Sequence, residues 1–441
     1  MKRILVLGAG LVARPCVQYL LARDMDVTVV DLSEASLKRV TEGHRRSHAV
    51  VADGASEAPA LIDRVRPDVV VSLLPPQLMA PVARACLKAG VHLVHPAYLD
   101  RETEELSEEA KKAGLLFLVE MGLDPGIDHM SAARTIRAIH DGQGKVLSFR
   151  SVCGAIPAAE ANTNPWGYKL SWAPASLIGA SRRTARILLD GQEILWPDGR
   201  TYEESHMELI EGMGWYEVYA NADSLPYIET YGIPEVQTLY RGTIRYPGWS
   251  ETICAMNVLE LFDETPLDLG GKTFCAFLVE RAQAEAGESL KETLCRRLGL
   301  PPYAAVLERF RWLGLLDDRP IPFERGSARD IVSFLFAERL VYEKDERDLV
   351  ILQDECLASF PGRPGTVRYC STLVDFGIPG GDSSIARTTG LPPAIAARLI
   401  AEGKIEARGV HRPVLAEIYE PVLAELEQEG IVLKETEENR H

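Results

Sequence analysis

The stretch "RILVLGAGLVARP" at residues 3–15 decides the fold. An apolar run, Ile4 to Leu7, meets Gly8 and Gly10 and passes into a helical pattern. Glycines there allow a tight turn and let a pyrophosphate reach the backbone, with its charge at the N-terminus of the following helix. Ala13 replaces the third glycine of the G-x-G-x-x-G pattern, and Pro15 suits a first helical turn. The next strand-like run, Asp26 to Asp31, ends on an acid at the spacing of a dinucleotide fingerprint. Such an acid accepts hydrogen bonds from ribose hydroxyls and repels a 2′-phosphate, which favours NAD over NADP. The alternative is a plain strand-to-helix turn in which Asp31 and Ser33 only cap the next helix.

Further strand candidates follow at His48 to Ala52, Asp68 to Leu74, Val91 to His95 and Leu115 to Val119, most of them separated by amphipathic stretches. Strands alternating with helices imply an α/β fold, a Rossmann-type doubly wound parallel sheet. Ligands of such sheets bind outside the carboxyl ends of the strands. Those ends hold Asp53, then "SLLPP" with Leu74, "HPAYLD" with Ala97 and Tyr98, and "EMGLDPGIDH" with Leu123, Asp124 and Pro125. Asp53 reads equally as a loop aspartate, and the prolines after Leu74 as strand terminators. Asp124 lies in a turn that could be built without an acid, which makes it the candidate for chemistry. Asp128 reads as the cap of a helix beginning near His129, and His129 as either packing or site.

Bulk properties narrow the classes. The 441 residues imply two or three domains. With 48 basic and 64 acidic residues the net charge is −16, which repels nucleic acid and anionic membrane surfaces alike. The first apolar run stops at Gly8, too early for a signal peptide, and no segment approaches a membrane span, so the cytoplasm is the expected setting. Eight scattered cysteines form no C-x-x-C pair, and the nine histidines form no metal-binding grouping, so no metal is expected.

Beyond residue 125 the texture changes. Residues 148–246 are rich in Trp, Tyr, Pro, Asn and Gly, with a helical stretch expected near Ser176 to Leu189. Within it "SVCGAIPAAEANTNPWGYKLSWAP" gathers Cys153, Glu160, Asn162, Asn164, Lys169 and Ser171, a concentration of polar groups suited to an amino-acid-like ligand. Cys153 also reads as a plain buried thiol. "LYRGTIRYPG" places Arg241 and Arg245 on one face of a strand, suited to pairing carboxylates. Helical patterns dominate from Thr265 to about Arg347, and two helices close the chain, "PPAIAARLIAEGK" and Ala416 to Gly430.

With those residues in view, the chain resembles the glutamate-forming saccharopine dehydrogenases, also called saccharopine reductases, nearly end to end. The carrying stretches are "GAGLVARP", "SLLPP", "EMGLDPGIDHM", "CGAIPAAEANTNPWGYKLSWAP", "YGIPEVQTLYRGTIRYPG", "ERDLVIL" and "GLPPAIAARLIAEGKI". The resemblance implies a Rossmann domain over residues 1–125 completed by about 385–441. It adds an α+β substrate and dimerisation domain over 126–264 with about 345–384, and an inserted helical subdomain over 265–344. A homodimer is expected. The implied reaction removes hydride from the carbon on the lysine side of the secondary amine of saccharopine and passes it to NAD(P)⁺. The imine is then hydrolysed to glutamate and 2-aminoadipate 6-semialdehyde.

By the same resemblance Gly8, Gly10, Leu11 and Val12 meet the pyrophosphate, Asp31 the ribose, Asp53 the adenosine end, and Leu74, Leu123 and Pro125 the nicotinamide region, with Ser171 near cofactor and substrate. Substrate contacts fall on Ala97, Tyr98, Asp124, Thr243, Ile244 and Arg245, to which the polar stretch above adds Cys153 and Lys169, and the chemistry makes Asp124 the candidate base with Tyr98 its orienting donor. One departure bears on the substrate. Where the family reads Tyr-Pro-Asn-Arg-Asp-Ser, this chain has "YANADS", Tyr219 to Ser224, with Ala222 in place of a carboxylate-binding arginine. "GGDSSIA" from Gly380 departs from Gly-Gly-Tyr-Ser-Ala as well. Arg182 or Arg183 could compensate, or the substrate carries fewer carboxylates. Two other readings therefore stand beside the first: an imine reductase for carboxylated polyamine or opine-like adducts, and a catalytically silent dinucleotide-binding protein.

Overall fold

Strand β1 (Arg3–Leu7) turns through Gly8 and Gly10 into helix α1 (Ala13–Ala22), and the alternation then repeats. In order follow β2 (Asp26–Asp31), α2 (Glu34–Thr41), β3 (Ser47–Val51), α3 (Ala58–Val65), β4 (Val69–Ser72), α4 (Met79–Ala89), β5 (His92–Val94), α5 (Arg101–Glu104), α6 (Ser107–Lys112), β6 (Leu116–Leu118) and α7 (Ile127–Asp141). This computed structural model describes every residue except Ala173, Ser181, Ala286 and His441, and of Ala175 and Ser176 only the backbone.

The middle of the chain holds β7 (Lys145–Pro157), α8 (Pro174–Ala180), β8 (Ala185–Leu189), β9 (Gln192–Trp196), β10 (His206–Ile210), β11 (Gly214–Ala220), α9 (Pro226–Tyr231), β12 (Thr238–Arg245) and α10 (Trp249–Val258). It continues with β13 (Leu267–Asp268), α11 (Phe274–Ala282), α12 (Leu290–Leu298), α13 (Ala305–Leu313), β14 (Arg325–Gly326) and α14 (Ala328–Arg339). The chain ends through β15 (Asp348–Ser359), β16 (Thr366–Phe376), α15 (Ser384–Ala401), β17 (Gly409–His411), α16 (Ala416–Gln428) and β18 (Leu433–Arg440). Two compact units result, one of Met1–Ser151, Tyr227–Val236 and Val350–His441, the other of Val152–Pro226 and Gln237–Leu349.

In the first unit the seven-stranded sheet runs β3-β2-β1-β4-β5-β6-β17, and every pairing is parallel. Helices cover both faces, so β4 and β6 are buried throughout and read as apolar runs without alternation. Only the edge strand β3 is largely exposed. The seventh strand comes from the far end of the chain, with Gly409 to His411 beside Leu116 to Leu118. Helix α15 packs on the start of α1 so closely that a Cβ on Gly390 would stand 2.3 Å from the Val12 carbonyl oxygen. Tyr19 of α1 also meets Glu425 of α16 and Arg398 of α15.

In the second unit β10, β11 and β12 pair antiparallel, and β8 and β9 form a hairpin. A cluster of aromatic residues including Trp166, Trp249, Phe274, Phe310 and Phe336 fills the core among α10 to α14. Two expectations from the sequence change. The helix expected from Ser176 to Leu189 ends at Ala180, and Ala185 to Leu189 form β8 instead. Asp190 and Gly191, with φ of 48° and 78°, make the two-residue turn that Asp-Gly favours between hairpin strands. The first C-terminal helix starts at Ser384, where the Ser383 hydroxyl accepts from the Ala386 N–H, and Pro392 and Pro393 lie inside it rather than at its start.

Candidate active site

At the glycine turn Gly8 has φ +99° and an added Cβ would lie 3.1 Å from the Leu73 carbonyl oxygen, with the Leu74 side chain at 3.5 Å. Gly10 faces open space, since a Cβ there would meet nothing within 4 Å. Val12 precedes α1 without any side-chain cap, and the Ala13 N–H donates back to the Gly10 carbonyl at 3.2 Å, so no side chain occupies the start of the helix. Leu11 is exposed. Asp31 braces this turn: Oδ2 accepts from the Ala9 N–H at 2.7 Å and Oδ1 from the Ser33 N–H at 2.8 Å. Asp53 accepts from the N–H groups of Ala55 and Ser56, and these two bonds hold its carboxyl below the usual range. An open-faced glycine, an uncapped helix start and an acid at the end of β2 fit a dinucleotide. The sequence reading passed over Arg39, whose guanidinium donates to the carbonyls of Ala9 and Gly10 at 2.9 Å each.

Beyond β5 and β6 the structure brings together two predicted residues. The Tyr98 hydroxyl donates to Asp124 Oδ1 at 3.0 Å. Tyr98 is 37% exposed while Leu123 and Pro125 are buried, so the phenol and the half-buried Asp124 carboxylate face outward from an apolar base. The Asp124–Pro125 bond is cis. Gly122 and Gly126 cross so closely that a Cβ on Gly126 would stand 2.0 Å from the Gly122 carbonyl oxygen, a contact only glycine permits. Ala97 joins the same loop pair, its carbonyl accepting from the Glu120 N–H at 3.2 Å.

Helix α7 begins two residues earlier than expected, and its cap position is Gly126. Asp128 lies within the first turn and reaches back, Oδ1 accepting from the Gly126 N–H at 2.5 Å. His129 is fully buried between Glu120 Oε2 and the Tyr231 hydroxyl, each at 2.7 Å. Glu120, not singled out in the sequence, also accepts at Oε1 from the Leu99 N–H and from Arg412 Nε, both at 2.9 Å. Burial pushes its carboxyl up, but the bond and charge of His129, the charge of Arg412 and the Leu99 N–H outweigh that and hold it at about 2. His95 lies buried in the same loop, and burial pushes its imidazole down to about 4.

The predicted residues of the second unit group around β12. Thr243, Ile244 and Arg245 face Tyr219, Val218 and Glu217 in register. Ile244 is fully buried, and its carbonyl oxygen would lie 2.5 Å from a Cβ on Gly154. The buried guanidinium of Arg245 lies 4.9 Å from the Tyr168 ring and 5.4 Å from Trp249, and donates to the Ile244 carbonyl at 2.8 Å. Among the described residues no carboxylate pairs with it. Glu217 instead accepts from the N–H groups of Gly248 and Ser250 at the start of α10, where an anion is favoured. Cys153 and Ser171 are buried. Lys169 is buried too, and its ammonium binds Glu346, a partner the sequence reading missed. Ala222 has φ +54° between Asn221 and Asp223, and Asp223 pairs with Arg186.

Among the described residues no helix is long and apolar enough to cross a membrane, and no group of three metal-ligating side chains occurs.

The comparisons with known proteins bear on the fold and the family. The family model described as "Saccharopine dehydrogenase NADP binding domain" matches residues 4–118, and "Saccharopine dehydrogenase C-terminal domain" matches residues 122–431. The chain is 32% identical to "Saccharopine dehydrogenase [NADP(+), L-glutamate-forming]" of Schizosaccharomyces pombe, covering 99% of each protein. It is 36% identical over 99% of its length to "Alpha-aminoadipic semialdehyde synthase" of Arabidopsis thaliana, of which it spans 45%. The apo saccharopine dehydrogenase (L-Glu forming) of Saccharomyces cerevisiae has the same fold, with a TM-score of 0.90 at 32% identity over 99% of this chain and 100% of that one. The family model over residues 4–118 and the Schizosaccharomyces pombe relative carry NADP in their names, which lends no support to the preference for NAD argued from Asp31. Two family models that match in order across almost the whole chain, and a relative 32% identical over 99% of each protein, make this chain a member of the saccharopine dehydrogenase family.

Proposed function

We propose that the chain is a nicotinamide-dependent dehydrogenase that oxidises the secondary amine of saccharopine to an imine and hydrolyses it to glutamate and 2-aminoadipate 6-semialdehyde. The observation that carries this reading is the Tyr98–Asp124 hydrogen bond at the carboxyl edge of the parallel sheet, 3.0 Å long. The relatives' names support the substrate and the use of NADP. The bound dinucleotide supplies the hydride acceptor.

The chain's own groups handle protons. Asp124 accepts the proton of the amine nitrogen as the C–H bond gives up its hydride. Its half-exposed carboxylate then releases that proton to solvent. The same carboxylate takes a proton from the water that adds to the C=N carbon and passes it to nitrogen, and in the collapse of the carbinolamine it carries the hydroxyl proton to the departing nitrogen, so that C=O forms as C–N breaks. Tyr98 orients the carboxylate through its donated hydrogen bond. Arg245 provides a desolvated cation for a substrate carboxylate, where a charge-assisted bond gains most. Oxidation of saccharopine by the full chain with NADP⁺, followed as reduced dinucleotide and released glutamate, tests the reading.

Ala222 favours a second reading. An alanine in place of an arginine removes one carboxylate partner, so the preferred substrate would be a secondary-amine adduct with fewer carboxylates, such as a carboxylated polyamine. Turnover of that adduct, and none of saccharopine, would support it.

A further inference from the structure

Glu120 is a buried carboxylate in an unusual backbone state. It is 1% exposed, and its φ of +56° lies in the left-handed region that a residue with a Cβ seldom occupies. Strain of that kind persists where the surroundings over-determine it. Three separate segments do so here. The Glu120 N–H donates to the Ala97 carbonyl and its Oε1 accepts from the Leu99 N–H, so Glu120 grips the peptide groups on both sides of Tyr98. Its Oε2 accepts from His129, five residues beyond Asp124 and in the first turn of α7. Arg412, from the segment after β17, donates to Oε1 and supplies a compensating charge. His129 is held in turn by the Tyr231 hydroxyl.

Stability is a poor explanation for such a cluster. Ion pairs taken out of water recover their desolvation cost only with excellent geometry, and apolar replacements are often neutral or stabilising. Fixed geometry is a better one. Tyr98 is more than a third exposed and would otherwise sample several rotamers, and Asp124 stands on a turn whose far end is α7. Glu120 ties the Tyr98 loop directly to the helix that closes the Asp124 turn.

We propose that Glu120 is a positioning residue for the Tyr98–Asp124 pair, acting through the backbone on either side of Tyr98 and through His129. This rests on the proton-transfer role assigned to Asp124 above. The test is a double-mutant cycle on kcat with whichever secondary-amine substrate the full chain turns over. Glu120→Ala is expected to lower kcat by ~10–100-fold, the scale of a misplacement of about 1 Å, with KM and dinucleotide affinity little changed. Glu120→Gln keeps acceptors for Leu99 and Arg412 and a group that bonds His129, so it should stay within about threefold of the parent. In an Asp124→Asn background, Glu120→Ala should cost nothing further in kcat, because the group it positions is gone.

Two results would overturn the proposal: a Glu120→Ala protein with the parent's kcat, or losses that multiply in the double mutant. If Glu120→Ala does not fold, Arg412→Met loosens the same carboxylate from a partly exposed site. It is expected to lower kcat alone and to lose that effect beside Asp124→Asn, and an unchanged kcat overturns the proposal. Should Asp124→Asn itself leave kcat intact, the proton-transfer reading fails first and this inference with it.

Discussion

Tyr98 donates its hydroxyl hydrogen to Asp124 Oδ1 at 3.0 Å, joining the loop after β5 to the loop after β6 at the carboxyl edge of the parallel sheet. The two residues lie 26 positions apart in sequence and share no helix or strand.

If Asp124 moves the protons, Asp124→Asn keeps the shape and one acceptor but loses the base. We expect kcat to fall by ~10²–10⁴-fold while dinucleotide affinity holds. Tyr98→Phe removes only an orienting bond and should cost about tenfold. Steady-state kinetics beside a dinucleotide titration measure both. A Tyr98→Phe loss larger than that of Asp124→Asn would reverse the roles.

Arg245 is a buried cation whose described neighbours are aromatic rings and a carbonyl. Removing it ends the cost of burying a charge and should leave the melting temperature equal or higher. Arg245→Met should instead raise KM by ~10–100-fold, the value of a lost charge-assisted contact. A fall in melting temperature with unchanged KM would mean that the guanidinium serves the core.

Stability should fall as pH drops below neutrality, with His95 one cause. Burial lowers its folded-state pKa to about 4, so between the ordinary value of 6.5 and that figure the unfolded chain binds the extra proton. Stability is therefore fully present above 6.5 and lost progressively down to about 4, by on the order of 3 kcal/mol. Glu120, whose folded-state pKa is lowered to about 2, adds a second loss at lower pH, below its ordinary value of 4.5. Urea unfolding at stepped pH should show a flatter curve for His95→Gln above pH ~4.5, and parallel curves would assign the dependence elsewhere.

Asp31 ends β2 with each carboxylate oxygen bonded to backbone, and the sequence pattern assigns it to the adenosine ribose of a dinucleotide. Its charge disfavours a 2′-phosphate whichever dinucleotide the parent prefers. Asp31→Ala should therefore shift the ratio of NADP⁺ to NAD⁺ affinity toward NADP⁺ by about tenfold. Calorimetric titration with both dinucleotides reads the ratio, and no change would remove Asp31 from the ribose site.

The parts of this fold that sequence revealed are local. Residues 3–31 carry glycine spacing, an apolar run and a terminal acid within one strand-turn-helix-strand unit, and each of these answers to turn and helix-end chemistry alone. What stayed hidden depends on distant partners. Strand β17 is three residues long and acquires meaning only beside β6. Glu120 follows an apolar strand and looks like its terminus, yet its donors come from Leu99, His129 and Arg412. His129 could not be assigned because Tyr231 lies 102 positions downstream. Lys169 resembled a ligand donor because Glu346 is 177 positions away. The β8–β9 hairpin is a different failure, since Asp190-Gly191 was a readable turn that the surrounding leucines made look helical.

The measurement closest to the central claim is a product balance with the full chain, saccharopine and NADP⁺, with NAD⁺ in parallel. Reduced dinucleotide, glutamate and an aldehyde should form in equal amounts, with almost none from the Asp124→Asn protein. Tight binding of either dinucleotide without oxidation of saccharopine or of any other secondary-amine adduct would contradict that claim.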